Sequence, residues 1–267
     1  METDMTTSRS LVSVMQVTLD GHILDPAGEV DWVDSWADGV ELIGSVDAFV
    51  LGGGMFPQYE QFWQAILDDP DAAAAMLGRD PYPREVTYAH VARATPHLVL
   101  SGTLTEAAWP SARITRDIDE IRELRLQPGK NVYVVGGPGL LTSLIDAGLL
   151  DELHLIVHPV ATGGGTGVFG TFAQRQSLEL VSAEPMTSGR VHLAYLLPAD
   201  GTEERAQVSE KRGSRVNRAA WMRSRDSNRE HKTERAKGTS GDTSKSATQI
   251  PRCQQAMTHC SSPKTVK

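Results

Sequence analysis

The sequence predicts an α/β domain with a largely parallel central sheet, closed at its carboxyl end by an antiparallel hairpin. Three features carry this prediction. Short apolar or β-branched runs alternate with segments of helical period; three of the runs end in small residues, in "LGGGMF", "LVLSGTL" and "VYVVGGPGLL"; and the alternation stops after Leu197.

The strands are bounded by turn residues and fall at Leu11–Thr18, Ala48–Leu51, His97–Leu100, Val132–Val135 and Glu152–His158, with a short one at Ala112–Thr115. Leu178–Ser182 and Val191–Leu197 flank "TSGR" as a hairpin pair. Between them, "DWVDSWADGVELIGS" sets Trp32, Val33, Trp36, Val40 and Ile43 on one stripe and predicts a helix. "PQYEQFWQAI" gathers Tyr59, Phe62, Trp63 and Ile66 in the same way, and "REVTYAHVARAT" is helical by spacing. "DIDEIRELRL" opens with acids that suit the positive end of a helix dipole. In "GPGLLTSLIDAG", Pro138 opens a helix and Gly148 closes it.

Composition bounds the rest. The chain has 267 residues and is 40% hydrophobic, enough for one substantial core over residues 11–198. No run approaches the roughly 18 apolar residues of a membrane span, and "METDMTTSRS" lacks a basic start followed by an apolar core, so a flexible N-terminus (residues 1–10) and a cytoplasmic protein are expected. Residues 199–267 hold 15 Lys and Arg against 8 Asp and Glu, whereas residues 1–198 hold 11 against 26. The acidic body repels a phosphate backbone, so no nucleic acid is expected on it. The tail lacks a sustained apolar period and is expected to be a disordered basic tail. Both cysteines, Cys253 and Cys260, lie there, so the body has no disulfide framework, thiolate nucleophile or zinc-thiolate site.

The strongest local chemistry is "NVYVVGGPGLLTSLIDAG", a buried strand that ends in two glycines and leads directly into a helix. Backbone N–H groups at such a junction suit a phosphate, and the same spacing equally suits a tight turn that packs helix on sheet. Gly165, Gly167 and Gly170 spell G-x-G-x-x-G, but no helix opens from them, so a flexible loop is expected. His154 and His158 are four apart in a β-type run, roughly 13 Å, too far for one metal ion. Asp20 follows the first strand, and Asp31, Asp34 and Asp38 line the polar side of the next helix. No G-x-S-x-G is present.

"VSVMQVTLDGHI", "AFVLGGGMFPQYEQFW", "LVLSGTLTEAAW", "PGKNVYVVGGPGLLTSLIDAGLLDELHLIVHPVATGGGTGVF" and "SGRVHLAYLLP", in this order, resemble the dihydrofolate reductase superfamily. The nearest branch is that of the C-terminal reductase domain of the riboflavin-pathway deaminase-reductase. The resemblance implies a dihydrofolate reductase-like fold and an NADPH-dependent oxidoreductase. Such an enzyme passes a hydride to a small heterocyclic or carbonyl-type substrate, and the resemblance makes a homodimer plausible. By family position, Met15, Gln16 and Val17 approach the nicotinamide; Gly52, Gly53, Gly54 and Met55 form the first cofactor turn and Ser101, Gly102 and Thr103 the second. Val135, Gly136, Gly137, Pro138, Gly139 and Leu140 form the phosphate-side helix start. Asp20 and Asp34 are the candidate catalytic carboxylates, with Trp32, Asp38 and Phe62 on the substrate side, and no metal is implied.

The chain departs from the family pattern at both turns. G-R-x-T reads "GGGM" and S-R-T reads "SGT", so glycine replaces two arginines that normally meet the adenosine-side phosphates. Each charge-assisted hydrogen bond contributes roughly 1.5–3 kcal/mol, so NADH becomes possible beside NADPH. A catalytically silent or relaxed-cofactor relative acting as a binding module is the alternative. Arg79, Arg84 and Arg93 are the candidate replacements for the lost charge. Val135 and His22 stand where riboflavin-pathway enzymes often have an acid and a basic residue, which argues against a phosphorylated riboflavin intermediate as substrate.

Overall fold

The structure is a computed structural model that describes residues 9–42, 45–170 and 172–197. The expected basic tail, and the N-terminus up to residue 8, lie outside the described residues. Arg9 and Ser10, expected to be flexible, are buried: the Arg9 N–H donates to the Arg125 carbonyl at 3.0 Å, and its guanidinium pairs with Asp47.

One eight-stranded sheet organises the chain, in the order β5-β4-β3-β6-β1-β7-β10-β9. These are β1 (Leu11–Thr18), β3 (Val46–Gly52), β4 (His97–Leu100), β5 (Ala112–Thr115), β6 (Asn131–Val135), β7 (Glu152–His158), β9 (Glu179–Pro185) and β10 (Val191–Leu196); β2 (His22–Leu24) and β8 (Thr166–Gly167) pair separately. The pairings from β5 across to β7 are parallel, and only β10 and β9 run antiparallel to their neighbours. The mostly parallel sheet with its closing hairpin is therefore as the sequence predicts.

Parallel strands covered on both faces read as continuous apolar runs, and the helices supply the cover. On one face, α1 (Phe56–Asp68), α2 (Pro70–Leu77) and α3 (Pro83–Ala94) bury Phe56, Tyr59, Trp63 and Tyr88 against Phe49, Leu51 and Tyr133. On the other, α4 (Asp119–Leu126) and α5 (Pro138–Asp146) bury Ile121, Leu141 and Leu144 against Leu11, Val50 and Val134. Short-range chemistry marks the ends. The Asp69 carboxylate accepts from the Ala72 N–H at 3.0 Å to cap α2, and Gly78 closes that helix at φ 68°. The buried Glu85 accepts the Tyr82 N–H at 2.8 Å at the start of α3.

Two local expectations are corrected. The segment from Asp31, expected as a helix, forms turns and then a 3-10 helix at Trp36–Leu42. Tertiary contacts outweigh its α-period: the Ser35 carbonyl accepts from Gln16 Nε2 at 2.7 Å, and Gly39 presses so closely on the sheet that a Cβ there would lie 2.8 Å from Tyr133 Oη. The glycine loop before Phe169 is likewise paired. β8 lies antiparallel to β2, and a side chain on Gly165, at φ 123°, would overlap the Leu24 carbonyl. His154 and His158 do take separate partners, His192 Nε2 at 2.9 Å and Gln16 Oε1 at 2.9 Å.

His97 opens β4 inside an aromatic cage, its ring 4.7 Å from Phe49 and 5.4 Å from Trp109. Burial pushes its pKa from 6.5 down to about 4, and burial does the same to His158 and His192. Between those values the unfolded chain binds protons that the folded chain refuses. Stability is thus complete above pH 6.5 and is lost as pH falls toward 4, by up to about 1.4 kcal/mol per pH unit for each such histidine. Urea unfolding across this range should show that slope, and His97→Phe should make it shallower; an unchanged slope would remove His97 from the account.

Candidate functional site

Four parallel strands deliver their carboxyl ends to one cleft of about 460 Å³. β1 contributes Val14, Met15 and Gln16; β3 contributes Gly52; β4 contributes Leu100; β6 contributes Tyr133 and Val135. β6 lies between β3 and β1, so the chain's course reverses there, and a crevice outside the strand ends at such a point is where open α/β sheets bind ligands.

One side of the cleft is backbone. The Gly53 N–H donates to the Leu100 carbonyl at 2.9 Å, which sets the turn after β3 flush against the turn after β4. A Cβ on Gly53 would overlap Ser101 Cβ and Oγ, so this position admits glycine alone without rearrangement. Ser101 Oγ in turn accepts the Leu104 N–H at 2.9 Å. Arg116, at the end of β5, braces the same turn by donating to the Ser101 and Leu104 carbonyls. Opposite, Gly136 and the extended Gly137 lead into α5, and a Cβ on Gly136 would lie 2.7 Å from Leu140 Cδ2. Pro138 spends no N–H at the first helical position, and the amides that follow point outward from the helix end. Open space beside the main chain lies instead at Gly102 and Gly139, where no heavy atom stands within 4 Å of a Cβ position, and bare backbone near a helix start suits a phosphate group.

The other side is aromatic. Trp36, Tyr59, Trp63, Tyr88 and Tyr133 line it. Tyr59 and Tyr88 share a hydroxyl–hydroxyl hydrogen bond of 2.9 Å, and the Trp63 and Tyr88 rings lie 4.3 Å apart. Burial pushes the phenols of Tyr59, Tyr88 and Tyr133 above their ordinary pKa, so all three keep their protons at neutral pH. Gln16 is held at both ends, by the Ser35 carbonyl and by His158 Nε2 at 2.9 Å. With its pKa near 4, His158 is neutral and donates that hydrogen bond from Nε2 to Gln16 Oε1.

Most of the residues expected around a cofactor meet here. Met15, Gln16, Gly52, Gly53, Gly54, Met55, Ser101, Gly102, Thr103, Val135, Gly136, Gly137, Gly139 and Leu140 all line the cleft. Val17 and Pro138 do not line it; Val17 is buried in the core under α5.

The substrate-side expectations fare differently, because each residue is occupied elsewhere. Asp20 accepts from Thr18 Oγ1 at 2.6 Å and from the Gly163 N–H at 2.7 Å, bonds that hold its carboxyl well below the usual range and tie β1 to the loop before β8. Asp34 is exposed and pairs with Arg84 at 3.1 Å. Asp38 lies between Arg84 Nε at 2.9 Å and Arg190 Nη1 at 2.6 Å. Trp32 packs beside Leu24 and Val30, and Phe62 is buried on α1. The candidate replacement cations are also engaged: Arg79 with Glu85, Arg84 with Asp34 and Asp38, Arg93 with Asp68. The tyrosines, Trp36 and Gly39 line the cleft without having been expected there, and Arg116 supports it from outside. Only their shared helical stripe hinted at Tyr59 and Trp63, and such a stripe reads as core.

The profile of the RibD C-terminal domain family matches residues 9–192. Two uncharacterized proteins of Bacillus subtilis (strain 168) are similar along nearly their whole length. YyaP is 29% identical over 190 residues, 70% of this chain and 94% of its own, and YwjB is 25% identical over 182 residues, 64% and 89%. Among solved structures, a putative riboflavin biosynthesis protein from Shewanella sp. PV-4 superposes with a TM-score of 0.51 at 22% identity. The match covers 71% of this chain and 99% of that one, a likeness of fold. No helix among the described residues is long and apolar enough to cross a membrane.

The two glycine turns differ in how much room they leave. Gly53→Ala should destabilise the protein by about 1–3 kcal/mol through overlap with Ser101. Gly102→Ala, with nothing within 4 Å of the new Cβ, should stay within about 0.5 kcal/mol of the parent. Denaturant midpoints test the pair, and equal effects at both positions would show that the turns are not packed as described.

Proposed function

The chain belongs to the RibD C-terminal domain family, and from that membership we propose that it is a nicotinamide-dependent reductase acting on a small heterocyclic or carbonyl-type substrate. The observation that carries this reading is the two-sided cleft, with bare backbone and the start of α5 on one side and buried aromatic rings on the other. When bound, the dihydronicotinamide supplies the hydride; the chain's own groups bind, orient and exclude water. In this reading, Gly136, Gly137, Gly139 and Leu140 hold the pyrophosphate, the turns at Gly52–Met55 and Ser101–Thr103 take the adenosine side, and Met15 and Gln16 border the nicotinamide. Reduction of C=O or C=N adds one hydride to carbon and one proton to the heteroatom. Asp20 and Asp34 stand outside the cleft wall, so water is assigned that proton.

Arg116 is our candidate for the charge lost at Gly53 and Gly102. It already braces the second turn from outside, and the residue is exposed. A catalytically silent binding module remains the second reading, favoured by the absence of the two turn arginines.

Titration of the full chain with NADPH and NADH separates the two. The reductase reading expects both to bind, with dissociation constants within about tenfold of each other, since one charge-assisted contact is worth about 10- to 150-fold. Binding of neither at millimolar concentration would leave the module reading alone. Arg116→Gln should weaken NADPH about tenfold and leave NADH nearly unchanged, whereas Gly102→Arg should tighten NADPH selectively. Gly53→Arg does not offer the same repair, because its Cβ has no room.

A further inference from the structure

A sheet with one face in water normally turns its apolar side chains inward and its polar ones outward. β7 and β10 do the reverse. On one face they bury His154, His158 and His192, each no more than 8% exposed. The other face is apolar in three cross-strand rows that share one side of the sheet. Val157 pairs with Val191, which pairs with Pro185 of β9. The next row holds Leu155, Leu193 and Ala183, and the third holds Leu153, Tyr195 and Leu180. Of these nine residues only Leu153 is buried; Leu180 is 53% exposed and Val191 37%.

The core under α5 takes in Met15 and Val17 of β1 and reaches Leu155 and Val157 of β7, and the apolar rows run on past it through β10 and β9. Three strands about 4.8 Å apart and three rows about 7 Å apart make a flat face of roughly 300 Å². Leu19 and Val160, joined by a main-chain hydrogen bond of 2.7 Å just past β1 and β7, add exposed apolar surface at one end. Phe172 and Leu178, which line one cavity ahead of β9, add more at the other. Contiguous apolar surface of several hundred Å² marks a contact site. The nine face positions include no Asp, Glu, Lys, Arg or His, so a second copy of the same face meets it without like-charge repulsion, as a two-fold contact requires. Flat sheet faces also pack on one another about 10 Å apart with interdigitated side chains.

We propose that the outer face of β7, β10 and β9 is where two copies of this chain pair about a two-fold axis, sheet face on sheet face. The free edge of β9 is not the contact: Pro185, Glu179 and the bulge opposite Ala194 and Tyr195 guard it against strand addition. With its extensions the face approaches about 600 Å² per partner, the lower end for specific pairs, so the dimer is a reversible one. None of the nine residues lines the cleft, and the pairing is therefore independent of the reductase reading.

Sedimentation velocity of the full-length protein tests this. Between about 1 and 300 μM it should show a monomer–dimer equilibrium with a dissociation constant on the order of tens of micromolar. Leu180→Arg and Val191→Arg each place a charge on both copies of the face, and each should raise that constant about tenfold or more. Both positions are already exposed, so folding is expected to be unchanged, and unfolding midpoints check this. Glu179→Arg, on the opposite face of the same edge strand because it pairs with Leu196, should leave the constant within about twofold. A monomer at every concentration would overturn the proposal and leave the face to residues 199–267 or to a different partner. A dimer that neither face variant weakens, or that Glu179→Arg weakens as much, would overturn it by placing the contact elsewhere.

Discussion

The hydrogen bonding of β6 between β3 and β1 is the constraint on which the rest of this structure depends. β6 pairs with β1 over Leu11↔Val132 to Ser13↔Val134, and with β3 from Val46↔Asn131 to Leu51↔Val135. Ser13 Oγ adds a bond to the Val134 carbonyl at 3.1 Å, inside a buried sheet where an unpaired acceptor would be costly. These pairings join segments about 85 to 120 residues apart, and they bring the end of β6, with its two glycines and α5, beside Gln16 and Gly52. Without this insertion the small-residue turns would lie at separate places, and no cleft would form.

Once the strands are placed, the backbone at their ends can approach only where side chains are absent. Gly53 against Ser101 and Gly136 against Leu140 are the two tightest examples at the glycine turns, and Gly39 against Tyr133 is the example on the aromatic side. The family's arginine at the first turn has no room for its Cβ in this packing. Restoring a charge at this turn would therefore require the turn to move away from Ser101. Arg116 braces that neighbour through its carbonyls, which makes a cation part of the turn's support.

A second device stiffens the region around β1. Gln16 bridges the neutral His158 and the Ser35 carbonyl, Asp38 joins the 3-10 helix to Arg84 of α3 and Arg190 before β10, and Asp20 fastens the loop before β8. Carboxylates that looked available for acid chemistry are thus used to hold elements around the cleft. Their consumption leaves a wall without charge, and that absence shapes the functional reading as much as any group that is present.

Much of the fold was legible in the chain. The parallel strands showed as short β-branched runs with turn residues at their ends, and Leu11–Thr18, His97–Leu100 and Glu152–His158 fall where periodicity places them. The glycine-rich lip was legible for the same reason, since Gly, Pro and Ser at strand ends are a local signal of close approach. What local pattern did not reveal was partnership. An aromatic stripe such as Tyr59 and Trp63 has one appearance whether it fills a core or walls a cleft, and an aspartate in a turn looks the same whether it faces substrate or an arginine. Asp31 onward carries a helical period, yet Gln16 and Gly39 draw that segment into turns and a 3-10 helix through contacts made with distant strands. The sequence by itself determined the order and type of most elements, because those follow from spacing along the chain. Only the tertiary structure decided which side chains face the cleft and which charges are paired away, because these depend on distances between residues that spacing does not encode.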